Sequence, residues 1–250
     1  MNNYYLAPVI FFIISFVFSM LGMGGGQLYI PILYWLGMDF KNQAIPLGLL
    51  LNFCTQFSAF ITYLRAKLVK FRIALPFALT IIICAPLGAL INFTLSPKPI
   101  IFLFALFTLF AAILVLSGWR PVKKDFGKTE ELIIALIIGA ILGFLVGLIG
   151  RGGGSFIVPS LLIIGLDPKN AAATSSFIAS FSSASGFIAH LFKAKLNFWV
   201  SLLTIASVLT GSQIGSRLMA RKLKSKIIKK IFGIVLIFVA LLLLKDVFFK

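Results

Sequence analysis

Apolar runs of about 20 residues recur along almost the whole chain, and they constrain its fold more than any other feature. A helix of this length spans the roughly 30 Å of hydrocarbon in a bilayer. Because lipid offers the backbone no hydrogen bonds, segments that span it are helices or closed barrels. The 250 residues are 60% hydrophobic and 12% charged, with a mean hydropathy of +1.10. This pattern predicts an all-α polytopic membrane protein.

Lysine and arginine dominate the charges and are concentrated between the apolar runs. A net charge of +17 can indicate nucleic-acid binding, but basic residues between membrane spans set the orientation of those spans. We therefore predict a lipid bilayer as the surroundings and no nucleic acid as a partner. Cys54 and Cys84 both lie inside apolar runs and are interpreted as small packing residues. Neither a metal nor another cofactor is expected.

The chain repeats itself with an offset of 128 residues. The segment Gly22–Leu33, GMGGGQLYIPIL, returns as Gly150–Leu161, GRGGGSFIVPSL, and later Asp, Lys and Asn residues match in the same register. Shared apolar composition does not account for matched glycine, proline and aspartate positions. The repeat predicts two homologous halves, residues 1–118 and 132–250, joined by a polar linker, residues 119–131.

Each predicted half contains five apolar segments, three of them long enough to span the bilayer. The segments are Leu6–Leu21, Gln27–Leu36, Ala44–Leu64, Ile73–Leu95 and Ile100–Leu116 in the first half, and Leu132–Ile149, Ser155–Leu166, Ala171–Phe192, Phe198–Met219 and Ile227–Leu244 in the second. The two pieces that flank each triple glycine are shorter, and the second of them has only 10 to 12 residues. Such a piece rises about 15–18 Å, roughly half of the hydrocarbon thickness. Each half is therefore predicted to hold a glycine-broken pair of short helices.

The basic residues indicate how these broken pairs meet the membrane. If each pair makes one crossing, 10 and 12 Lys and Arg residues fall on the two sides, with Arg151 in the break. If each pair leaves one side and returns to it, as a hairpin or as two short crossings, the numbers are 16 and 7. The positive-inside rule favours this second arrangement. It predicts a cell inner-membrane protein with both termini outside the cytoplasm and with the halves inserted as inverted repeats.

The tripled glycines predict breaks in membrane-buried helices. Glycine adopts positive φ at little cost, and the polar groups that a break frees must lie against protein or a wet cavity. A helix that restarts after such a break points unpaired N–H groups and a partial positive charge at that space, which makes a site for an anion. Close helix packing accounts for Gly139, Gly143 and Gly147, but three consecutive glycines exceed what packing needs.

Polar residues near the two breaks complete the predicted substrate site. Arg151 occupies the position of Met23 in the other half, where it either holds an anionic group or bonds freed carbonyls. Ser and Thr side chains in membrane helices often bond their own backbone, so the prediction rests on the group and not on any single member. The predicted substrate-binding residues are Gly24, Gly25, Gly26, Gln27, Asn52, Thr55, Gln56, Arg151, Gly152, Gly153, Gly154, Ser155, Thr174, Ser175 and Ser182.

Few titratable residues accompany these polar groups. Asp39 and Asp167 match in the repeat, and each is predicted to cap the helix that begins near Ala44 or Ala172; binding of a coupling ion is the alternative. His190 is expected near the membrane interface and not in a proton relay. Because the predicted spanning segments contain no Asp or Glu, the sequence gives little support to an acid-based proton pathway.

The doubled GxGGGxxxxPxL pattern resembles the sulfite exporter TauE/SafE family of permeases over nearly the whole chain. The resemblance implies movement of sulfite, sulfonates or other small organic anions across a bacterial cytoplasmic membrane. It also implies that Gly24–Gly26, Pro31, Gly152–Gly154 and Pro159 are the signature positions. Arg151 departs from the small or apolar residue that is usual there, which leaves the substrate open.

We predict a secondary transporter that carries a small, sulfur-containing or other organic anion by alternating access, and not an enzyme. A passive anion channel that uses the same glycine-lined site is the alternative. A membrane-embedded enzyme is less well supported, because no nucleophile with a base and no metal-ligand cluster is evident. The direction of transport, the coupling ion and assembly into a homo-oligomer stay open at this point.

Overall fold

A computed structural model of the protein describes residues 6–92, 97–117, 128–149, 154–192 and 194–248. These residues form ten α-helices and no strand, which confirms the all-α prediction. In chain order the helices are α1 Ala7–Leu21, α2 Gly26–Trp35, α3 Ile45–Arg65, α4 Phe71–Asn92, α5 Pro97–Leu116, α6 Lys128–Ile149, α7 Gly154–Ile163, α8 Pro168–Leu191, α9 Phe198–Arg221 and α10 Ser225–Phe248. A π-helical turn, Phe40–Ala44, leads into α3.

The helix ends differ from the predicted segments at several places where local chemistry favours an earlier start. α6 begins at Lys128, inside the predicted linker, because Glu130 and Glu131 lie in its first turn and interact favourably with the positive end of the helix. Asp39 and Asp167 act as caps, as predicted, but directly before Phe40 and Pro168 and not near Ala44 and Ala172. Asp39 accepts from the Asn42 N–H at 2.6 Å, and Asp167 accepts from the Lys169 N–H at 3.0 Å.

The helices have the length and surface of membrane spans. In the described part of the chain, four helical stretches are long and apolar enough to cross a bilayer: Phe40–Arg65, Phe71–Gly88, Thr129–Gly147 and Phe198–Arg221. On α4, the side chains of Leu75, Leu79 and Ile83 form a row at every fourth position and are 51, 59 and 64% exposed. A continuous apolar row of this kind is suited to acyl chains and not to water. The protein is therefore a multi-pass membrane protein.

Glycines bring α6 against α4 with almost no space between the backbones. A Cβ added at Gly143 would lie 2.8 Å from the Cα of Ile81, and one added at Gly147 would overlap the carbonyl oxygen of Ala85. A Cβ at Gly139 would likewise overlap a side chain of α4. These contacts confirm the packing role predicted for the three glycines. Later residues of α6 contact later residues of α4, so the two helices are parallel.

The same arrangement joins α1 to α9. A Cβ at Gly211 would overlap the carbonyl oxygen of Phe12, and one at Gly215 would overlap that of Phe16. These two helices are also parallel. The repeat aligns α1 with α6 and α4 with α9, so each half places its first helix against the fourth helix of the other half.

The equivalent helices α3 and α8 cross the core in opposite directions. Asn52 of α3 donates to Ser183 of α8 at 2.5 Å. Farther along α3, Phe60 packs edge-on against Phe177, with ring centroids 5.1 Å apart. Residue numbers rise along α3 while they fall along α8, so the two helices are antiparallel.

One end of the bundle, here called the Arg72 face, gathers the starts of three helices. Arg72 in the first turn of α4 forms an ion pair of 3.1 Å with Glu131 in the first turn of α6. The N–H of Lys70, just before α4, donates to the hydroxyl of Thr174 near the start of α8 at 3.1 Å. Since α6 and α8 both start at the Arg72 face, the intervening α6–α7 pair leaves this face and returns to it.

The opposite end, here called the Lys195 face, holds the first broken pair. The N–H of Lys195, in the link before α9, donates at 2.8 Å to the carbonyl of Asn42, in the link before α3. Because α1 runs parallel to α9, it also starts from this face. The α1–α2 pair therefore leaves the Lys195 face and returns to it, and neither broken pair is a single crossing of the bundle.

Candidate functional site

The first triple glycine interrupts the helix where the sequence predicts a break. α1 ends at Leu21, and Gly22 and Gly24 both adopt the left-handed conformation with φ of +66°. α2 then begins at Gly26. Glycine is required at these two positions because a side chain is strained at positive φ. A Cβ would moreover overlap the backbone of α8 at Gly22 and the side chain of Asn52 at Gly24.

Side chains from α3 and α8 satisfy the backbone groups that this break frees. The carbonyl oxygen of Gly22 accepts from the amide of Gln56 at 2.8 Å and from the hydroxyl of Ser175 at 2.7 Å. The N–H of Gly26 donates to Oδ1 of Asn52 at 3.0 Å. The expectation that the restarting helix exposes unpaired N–H groups is therefore wrong for Gly26, because its N–H already donates to the neutral side-chain amide of Asn52.

Asn52 is the central residue of this arrangement. It is 1% exposed, and its amide links three helices by accepting from α2 and donating to the hydroxyl of Ser183 on α8. The two bonds also define the orientation of the amide, since the oxygen faces an N–H donor. Sequence reasoning did not single out Ser183, although it lies in the polar run SFSSASG that supplied neighbouring candidates.

Thr55 and Tyr29 form a second polar contact between α2 and α3. Their hydroxyl oxygens are 3.0 Å apart, and both side chains are fully buried. The hydroxyl of Ser212 on α9 donates to the carbonyl of Thr55 at 2.6 Å. Tyr29 was missed because the equivalent position in the second half is Ile157, so the repeat gave no signal there.

The second short helix, α7, begins beside the first break. A Cβ added at Gly154, the first residue of α7, would overlap the carbonyl oxygen of Met23 in the first break. The start of α7 therefore lies directly against the turn between α1 and α2. Arg151, Gly152 and Gly153 lie outside the described residues, as does the side chain of Ser155.

The remaining predicted residues occupy different surroundings. Gly25 is buried beside the ring of Tyr29, and Gln27 is half-buried in the first turn of α2. Ser182 is buried in α8, whereas Thr174 bonds the link before α4 at the Arg72 face and not the break. His190 is half-buried in the last turn of α8.

Many buried polar side chains lie on α1, α3, α8 and α9, and some of them bond the backbone of the first break. They are Ser15, Ser19, Asn52, Thr55, Gln56, Ser58, Thr174, Ser175, Ser176, Ser180, Ser182, Ser183, Ser201, Thr204, Ser212 and Ser216. All of them are hydroxyls or amides, and the described residues contain no buried Asp, Glu, Lys or Arg. The described interior of these four helices therefore offers neutral hydrogen-bonding groups, with no fixed negative charge to repel an anion.

A family model described as Sulfite exporter TauE/SafE matches residues 7–243. The probable membrane transporter protein YunE of Bacillus subtilis is 27% identical over 99% of this chain and 100% of its own. Probable membrane transporter protein ORF9 of Sinorhizobium sp is 31% identical over 94% and 90%. Sulfite exporter TauE/SafE family protein 5 of Arabidopsis thaliana is 35% identical over 39% and 23%. No solved structure matches with significance.

Proposed function

Because this chain belongs to the sulfite exporter TauE/SafE family, we propose that it is a secondary transporter that carries a small anion past the two glycine breaks. The observation that carries the proposal is the contact between Gly154 and the carbonyl of Met23. Two interrupted helices meet there, among neutral amides and hydroxyls. Irregular backbone at membrane depth is typical of the substrate sites of transporters.

The course of the helices supports alternating access. The α1–α2 pair belongs to the Lys195 face and the α6–α7 pair to the Arg72 face, while the equivalent helices α3 and α8 are antiparallel. These are the relations that inverted repeats require. In such transporters, one repeat rocks against the other around a central site. We therefore propose that each broken pair closes the anion pathway towards its own side of the membrane.

We propose sulfite, a sulfonate or a related organic anion as the substrate. The Arabidopsis relative carries the sulfite exporter name, and Arg151 gives this chain a positive charge beside the second break. A guanidinium binds a sulfonate or sulfite oxygen through two parallel N–H groups, which an apolar residue at this position does not offer. Gly152, Gly153 and Ser155 complete the proposed site on this side.

A thermal-shift screen of the purified protein tests the substrate class. We expect small sulfur oxyanions and sulfonates to raise the melting temperature, because a ligand that binds only the folded state stabilises it. Carboxylates of similar size serve as the comparison. Loss of the increase in Arg151→Gln would support the proposed role of the guanidinium, and an equal increase would contradict it.

Counterflow in proteoliposomes separates a carrier from a channel. Unlabelled anion inside the vesicles should drive saturable, transient accumulation of labelled anion, because a carrier exchanges its substrate through a single site. A passive channel produces no accumulation beyond equilibrium. Uptake that does not saturate and shows no counterflow would therefore favour the channel.

The proposed orientation makes a prediction about the termini. The links that carry 16 of the 23 basic residues should face the cytoplasm, so a reporter fused after Lys250 should behave as periplasmic. As the control, a cysteine introduced at the exposed Lys222 should react with an impermeant maleimide only after the cells are opened. A cytoplasmic signal from the Lys250 fusion would reverse the orientation.

A further inference from the structure

The amide of Gln56 has one atom that the folded chain does not satisfy. Gln56 lies one helical turn after Asn52 on α3 and is fully buried. Its Nε2 donates to the carbonyl of Gly22, whereas its Oε1 has no hydrogen-bond partner among the described residues. Buried polar atoms without a partner are rare, and an acceptor oxygen of this kind is suited to a donor from outside the described residues.

The amide cannot satisfy this oxygen by turning over. The carbonyl of Gly22 accepts two bonds, one from Gln56 and one from the hydroxyl of Ser175. A flipped amide would direct Oε1 at this carbonyl oxygen, so that two acceptors would face each other. Oε1 is therefore held as an acceptor beside the first break.

We propose that the transported anion brings its own hydrogen-bond donor, an O–H or N–H group, to Oε1 of Gln56. The proposal rests on the transport function given above and narrows its substrate class. Small monoanions that carry a donor close to the charged group satisfy the buried oxygen. A fully deprotonated oxyanion directs only acceptors at Oε1, and an alkyl sulfonate leaves Oε1 unsatisfied.

Two sulfonates of equal charge and similar size test this substrate class. In 2-hydroxyethanesulfonate a hydroxyl takes the place of the terminal methyl of propane-1-sulfonate. We expect the wild-type protein to bind the hydroxyl compound at least about tenfold more tightly, because a buried acceptor built for a ligand donor rejects the analogue that lacks it. Binding is measured from the ligand-dependent melting temperature and from competition in proteoliposome uptake.

The Gln56→Met variant should reduce this preference to within about twofold while it still binds propane-1-sulfonate. Methionine has a similar length but no oxygen acceptor, and Ser175 still donates to the Gly22 carbonyl. The matched control is Gln213→Met on α9. Its amide donates to the carbonyl and the hydroxyl of Ser58 at 2.9 and 2.8 Å, and the preference should persist in this variant.

Equal affinity of the wild-type protein for the two sulfonates would overturn the inference, since Oε1 would then be satisfied without the ligand, for example by a bound water. A preference that survives in Gln56→Met would also overturn it. The comparison of the two sulfonates on the wild-type protein tests the inference even if the Gln56→Met variant does not fold. If the wild-type protein binds neither these sulfonates nor any anion of the screen, the proposed transport function itself fails together with the inference.

Discussion

Adding a single methyl group at Gly154 is expected to abolish transport. In Gly154→Ala the new Cβ overlaps the carbonyl oxygen of Met23, which belongs to the backbone and cannot turn away as a side chain does. Overpacking of this kind costs about 1–3 kcal/mol. If the cost falls on one conformation of the carrier, it shifts the conformational equilibrium by about 5- to 150-fold. The measurement is anion uptake in proteoliposomes that contain equal amounts of folded protein.

Gly186→Ala in α8 is the matched control for this variant. A Cβ at Gly186 would lie 3.4 Å from the side chain of Leu49, an ordinary van der Waals distance. Alanine also favours a helix interior over glycine by about 1 kcal/mol, so uptake should stay within about twofold and the melting temperature should not fall. Normal uptake by Gly154→Ala would show that the contact between the start of α7 and the first break is not needed for transport.

Replacing Asn52 by leucine is expected to destabilise the protein and to remove transport together. Leucine has a similar shape, so the main loss is of two buried hydrogen bonds. The N–H of Gly26 and the hydroxyl of Ser183 would each lose a partner, and a buried group without a partner costs about 1–3 kcal/mol. A loss of this size lowers the melting temperature by several degrees. Uptake should fall because the start of α2 is no longer held against α3.

Asn197→Ala is the matched control for Asn52→Leu, because it also removes an asparagine side chain that accepts from backbone N–H groups. Asn197 accepts from the N–H groups of Trp199 and Val200 at 3.1 and 3.2 Å, but it does so at the exposed start of α9. Its removal should cost about 1 kcal/mol, as for other helix caps, with uptake unchanged. If Asn52→Leu transports normally at a temperature where it is folded, the hydrogen bonds of Asn52 stabilise the fold but are not needed for transport.

The sequence by itself was sufficient for the all-α membrane fold and for the position of the first break. Long apolar runs predict membrane helices because lipid forces the backbone to bond internally. The doubled Gly-Gly-Gly predicts interrupted helices, and α1 and α2 do separate at Gly22–Gly25. The family resemblance is confirmed by the match over residues 7–243. Each of these features is encoded in residues that are close together along the chain.

Only the tertiary structure decided which side chains meet the break and how its polar groups are satisfied. Asn52 and Ser183 are 131 positions apart, and neither local periodicity nor the repeat predicts that they touch. Their contact depends on how α3 and α8 are rotated about their axes, which is set by the packing of all neighbouring helices. The same packing gives the Gly26 amide a protein acceptor and leaves Oε1 of Gln56 without a donor in the described chain. The local sequence shows where the glycines lie, whereas hydrogen bonds between distant helices determine how the backbone groups around them are satisfied.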